Sequence, residues 1–162
     1  MKLNIDKEFK FLFTFLIFSS IFYFVVSKFY SADTPIVGTF TITFILNNLL
    51  KIFGMNSIQM GDTVYLPNNI KLRIITECTG LYEMIILCSM IISYPTNITN
   101  KLYGVITGIA MISTLNMIRL ITISYILIYY NNMFYFVDIY LWQISLVIFI
   151  SLTYIIWLKS IR

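Results

Sequence analysis

Residues 70–94 read IKLRIITECTGLYEMIILCSMIISY, and the change of pattern near Thr79-Gly80 decides how the chain is built. Up to Ile74, apolar residues alternate with Lys71 and Arg73, the period-two signature of a strand with one solvated face. From Leu81 to Tyr94 the alternation stops and apolar residues run on to the breaker Pro95. The stretch predicts a small β segment followed by a membrane helix, with Cys78 between them.

Working upstream, residues 55–76 carry turn signals at Gly61-Asp62 and Pro67-Asn68-Asn69. They predict a β-hairpin or three-stranded meander outside the bilayer core. Before it, residues 36–53 place Thr39, Thr43, Asn47 and Lys51 on one stripe, with Ile42, Ile45, Leu46, Leu49 and Phe53 opposite. That pattern predicts an amphipathic helix that lies in the interface or lines a bundle. Residues 11–29 are apolar and preceded by Lys2, Lys7 and Lys10, as in a first transmembrane helix. A cleaved signal peptide is the rival reading, with Ser31-Ala32 as a poor cleavage site; the bulky run at 21–26 favours a retained helix.

Downstream, the polar linker 96–101 leads to an apolar helix over 102–118, then a Tyr-rich stretch to Asn131-Asn132. A last helix over about 139–158 ends at Lys159 and Arg162. Of 162 residues, 59% are hydrophobic and 11% charged, too little charge to solvate a soluble surface. A mean hydropathy of +0.87 agrees. The expected class is an all-α integral membrane protein forming one multi-pass domain over 1–162. It would have about four transmembrane helices, the amphipathic helix and a small extracytoplasmic β-hairpin, with residues 78–158 as the helical core that carries the site.

The net charge of +4 comes from eleven scattered Lys and Arg, which fits membrane anchoring and not nucleic-acid binding. The chain has no His, which removes His-ligated haem or zinc and any Ser-His or Cys-His pair. Cys78 and Cys88, ten apart, would be separated by roughly 15 Å on one helix, too far for a disulfide. No metal or cofactor is expected.

Topology has two solutions. If 36–53 stays outside, Lys2, Lys7, Lys10, Lys101, Lys159 and Arg162 fall inside. If it spans, the inside set becomes Lys2, Lys7, Lys10, Lys51, Lys71, Arg73 and Arg119, which the positive-inside rule slightly favours. The polar stripe argues for the first. Either way, Cys78 begins one span and the next returns Arg119 to the same face. Asp138 joins them there if 120–137 does not span.

Cys78 in Thr76-Glu77-Cys78-Thr79-Gly80 falls at a helix N-terminus, where backbone N–H groups favour a thiolate; the plainer reading is a tolerated thiol. Arg119 ends a helix and shares a face with Asn116, three residues earlier; a snorkelling Arg is the plain alternative. Asp138 could equally cap the last helix. Glu83 lies about one turn inside its helix and needs a partner, for which Arg119 is the natural candidate. Cys88 reads as packing.

Glu77-Cys78-Thr79-Gly80 before an apolar helix, followed by Asn116-x-x-Arg119, resembles the exosortase/archaeosortase family of membrane-embedded cysteine transpeptidase-like enzymes. The likeness covers roughly residues 36–158. It implies a cysteine protease or transpeptidase of the cell membrane with its site on the extracytoplasmic face. The implied partners are proteins with a C-terminal tripartite signal: a motif, a transmembrane helix and a basic tail. In archaeal members a membrane lipid is the acceptor. Cys78 would be the nucleophile, and Arg119 would hold the oxyanion and help ionise the thiol. Glu77, Gly80, Glu83 and Asn116 would support them. The family's third polar residue, often His and sometimes Arg, falls here on Asp138, which can move a proton but cannot supply positive charge. The rival from the residues alone is a substrate-binding subunit of a transporter, with Glu83, Asn116 and Arg119 as its ligand pocket.

Overall fold

The computed structural model describes residues 5–29 and 37–161; the rival cleavage point at Ser31-Ala32 lies outside them. The helices are α1 (Ile5–Phe29), α2 (Val37–Ile52), α3 (Leu81–Ser93) and α4 (Ile98–Tyr129). A fifth, α5 (Phe134–Ser160), contains a π-turn at Val137–Leu141. Three of them, α1, α4 and α5, are long and apolar enough to cross a membrane. At 13 residues α3 is apolar but rises only about 20 Å, against a hydrocarbon core of about 30 Å. The exposed Phe9, Phe13, Leu16, Tyr23 and Phe24 of α1 suit a lipid environment.

The chain divides into two compact units. One comprises α1, α3 from Tyr82, α4 as far as Ile112, and α5 from Phe149. Its core is Leu87, Ile91, Ile112, Ile150 and Trp157. Without a hydrophobic drive between helices in lipid, small residues set how closely they approach. A methyl group on Gly104 would collide with the Trp157 indole, and one on Gly108 with Leu87. The Trp157 indole N–H donates to the Asn100 carbonyl at 3.0 Å, and Lys101 Nζ donates to the Ile92 carbonyl at 2.6 Å.

The other unit comprises α2, the β segment, the Cys78 turn, α4 from Ser113 and α5 as far as Ile148. Strands β1 (Ile58–Met60), β2 (Thr63–Tyr65) and β3 (Lys71–Arg73) form an antiparallel meander in the order β1-β2-β3. Val64 faces Gln59 on one side and Leu72 on the other. Both predicted turns are present: Gly61, Asn68 and Asn69 adopt φ values of 61°, 61° and 59°, a region that Gly and Asn tolerate. Asp62 pairs with Arg73 at 2.8 Å across the sheet, which holds its carboxyl below the usual range.

Helix α2 lines its unit. Thr39, Thr43 and Asn47 are buried together with Leu46 and Leu50, while Phe40, Phe44 and Ile45 are exposed. Three of the four stripe positions turn inward, where their groups are satisfied: Thr43 donates to the Thr39 carbonyl, and Ser57 Oγ donates to Asn47 Oδ1 at 2.9 Å, while Lys51 is exposed. The expected opposite apolar face is therefore split, with Leu46 in the core and Ile45 and Phe53 outward. Leu46, Leu50, Val64, Leu66, Ile74, Leu120, Ile123, Leu127 and Trp142 form the core.

Helix α1 starts at Ile5, before the expected 11, and α4 at Ile98, inside the expected linker 96–101; two further differences bear on the site. Arg119 does not end a helix, since α4 continues to Tyr129. No Gly or Pro follows Arg119 before Tyr129, and the Thr122 and Ser124 hydroxyls are satisfied within the helix by the Ile118 and Leu120 carbonyls, each at 2.8 Å. The last helix starts at Phe134, five residues before the expected 139. Asp138 therefore lies inside it, at the π-turn, and does not cap it.

Candidate active site

The cysteine is held by a short, tightly bonded turn. Residues Thr76–Thr79 make one turn of 3-10 helix, in which the Cys78 N–H donates to the Ile75 carbonyl at 2.9 Å. Thr79 Oγ1 donates to the Thr76 carbonyl at 2.7 Å and accepts the Leu81 N–H at 3.3 Å. Gly80, at φ 76° and ψ 11°, then turns the chain into α3. A side chain in that left-handed conformation costs roughly 1–2 kcal/mol, which accounts for glycine here. Cys78 thus precedes α3 and does not begin it.

Helix α4 brings two side chains to this unit. Asn116, 1% exposed, donates from Nδ2 to the Cys78 carbonyl at 2.8 Å. One turn later, Arg119 Nη2 lies 2.9 Å from Asp138 Oδ1, with the two side chains 12% and 31% exposed. Cys78 packs against the same core cluster that contains Trp142. The Asn116 Oδ1, Arg119 Nε and Trp142 Nε1 atoms are buried and have no hydrogen-bond partner.

The thiol's electrostatics reverse the sequence expectation. Burial pushes the Cys78 thiol above its ordinary value; a backbone hydrogen bond at Ile75 and the Arg119 charge oppose this, and Asp138 and Glu77 add to it. Desolvation outweighs the local N–H groups, so the resting sulfur is a neutral thiol.

The remaining candidates separate. Glu77 is exposed in the turn. Glu83 lies in the first turn of α3, and its Oε2 is buried without a hydrogen bond. Arg119 makes a salt bridge with Asp138, and Glu83, expected as its partner, belongs to the other compact unit. Cys88 is half-buried within α3. Sequence reasoning assigned nothing to Thr79, to the π-turn or to Trp142. A tryptophan four residues after Asp138 was the available signal.

A mostly helical membrane protein with a half-buried cysteine, and an Asn and an Arg–Asp pair in the same unit, is the class that fold and site define. The chain matches the transmembrane exosortase family over residues 6–158, and it belongs to that family. No curated protein and no solved structure matches it.

Proposed function

We propose that this chain is a multi-pass membrane cysteine transpeptidase that cleaves C-terminal sorting signals of surface proteins on the extracytoplasmic face. The observation that carries the reading is the joining of Cys78 to Asn116 and of Arg119 to Asp138 within one unit. Family membership supports the reaction class. In this reading Asp138 takes the Cys78 proton, and the sulfur attacks the carbonyl carbon of the substrate peptide. The carbonyl electron pair moves to oxygen, and Arg119 stabilises that charge. Collapse breaks the C–N bond, the amine leaves with the proton from Asp138, and a thioester on Cys78 remains. An acceptor nucleophile, a lipid or another group, then gives its proton to Asp138 and attacks the thioester carbonyl; the C–S bond breaks and the Cys78 sulfur takes the proton back. Asn116 positions Cys78 through its carbonyl. Both α4 side chains are committed to the cysteine turn and to Asp138, which supports an enzyme over a transporter's ligand pocket.

The test is C-terminal processing of surface proteins in the native cells. Cys78→Ser and Arg119→Ala should abolish it, and an impermeant maleimide on intact cells should block it in the parent. Normal processing by either variant would sink the mechanism, and a block only after permeabilisation would overturn the assigned face.

A further inference from the structure

Trp142 combines burial in the core with an open hydrogen-bond donor that packing alone does not explain. It is 8% exposed and lies in the core cluster against which Cys78 packs. Its indole N–H, a donor with no acceptor capacity, is buried and unpartnered. Buried tryptophan N–H groups usually find a partner, and one that does not calls for a specific reason. Trp157, in the other unit, follows the usual rule by donating to the Asn100 carbonyl at 3.0 Å.

The local backbone gives Trp142 its setting. It follows the π-turn Val137–Leu141 directly, with its own N–H bonded to the Val137 carbonyl. Single π-turns within α-helices are frequent at functional sites. Asp138 and Trp142 are four residues apart and share a helix face. Arg119 places Nη2 on Asp138, and its Nε–H is a second buried donor without a partner. Two open N–H donors, one on the arginine that grips Asp138 and one a turn along from that aspartate, thus belong to the unit that holds Cys78. Attack by a thiol on a carbonyl places negative charge on one oxygen, and such sites hold it with preorganised donors.

We propose that the Trp142 indole N–H is the second donor, beside Arg119, to the carbonyl oxygen of the substrate bond that Cys78 attacks. The inference rests on the acyl-transfer reading above. Trp142 makes and breaks no bond: its N–H accompanies the oxygen from carbonyl to oxyanion and back as the thioester forms.

Trp142→Phe keeps the aromatic bulk and removes only the donor. A packing role and a donor role then predict different pairs of results. Deleting an unsatisfied buried donor removes a desolvation cost, so the variant's melting temperature in detergent should hold or rise. Its processing of surface proteins, followed by pulse–chase in native cells at matched expression, should slow by roughly a hundred-fold. Processing at the parent rate in Trp142→Phe, with Cys78→Ala inactive, would overturn this inference and leave the acyl-transfer reading standing. Slower processing that only tracks a lowered melting temperature would assign Trp142 to packing and overturn the inference too. Continued processing by Cys78→Ala would remove the reading on which both rest.

Discussion

A neutral thiol that feels the charges of Arg119 and Asp138 responds to mutation differently from a preformed thiolate. The Asp138 charge holds the Cys78 thiol up and the Arg119 charge draws it down. In Asp138→Asn the thiol should therefore ionise at lower pH than in the parent, and iodoacetamide should alkylate Cys78 faster at pH 7. Processing should nevertheless fall, by about 100-fold or more, because the proton acceptor is gone. Alkylation and processing that change together in this variant would contradict the role given to Asp138. Much at this scale was legible: Cys78, Asn116, Arg119 and Asp138 are polar residues set in or beside apolar runs, where they need a reason. The direction of the Cys78 shift was not, because it depends on how deeply the turn is buried. The partner of Arg119 depended on the path of α5, which placed Asp138 against it. The open N–H of Trp142 leaves no trace in a sequence where tryptophan also packs cores.

Among elements, α2 shows how solvent decides what a polar stripe means. In water the apolar face of such a helix turns inward. Here Thr39, Thr43 and Asn47 are inside, and Phe40 and Phe44 are exposed as lipid-facing side chains would be. The stripe survives burial because its groups are bonded, Asn47 to Ser57 above all. Ser57→Ala leaves the buried Asn47 Oδ1 without this donor and should lower stability by about 1–3 kcal/mol. Thermal unfolding in detergent reads that loss; an unchanged midpoint would show that the bond contributes nothing. The repeat of the stripe and the turns of the meander were legible because both follow from local spacing. The end of α4 was not, because a charge inside a long apolar run reads as a boundary. Nor was the start of α5, since an aspartate before an apolar run looks like a cap, while the π-turn has no sequence signature.

For the whole molecule, composition settled the solvent and helix length decides much of the rest. Arg119 lies 21 residues beyond Ile98, the first residue of α4, a rise of about 32 Å, comparable to the hydrocarbon thickness of about 30 Å. That length of α4 is compatible with a crossing that ends near Arg119, although the helix itself runs on to Tyr129. The number of crossings was less legible, because α3 is as apolar as a spanning helix and shorter than one. What the molecule is proposed to do turns on a covalent intermediate at one sulfur. Membranes actively processing their surface proteins should be acid-quenched and the peptides bearing Cys78 and Cys88 weighed by mass spectrometry, with and without hydroxylamine. The expected result is a hydroxylamine-labile thioester on Cys78 carrying a substrate's new C-terminus, retained in Cys88→Ser and absent in Cys78→Ala. Undiminished processing by Cys78→Ala, or an adduct found on Cys88 instead, would contradict it.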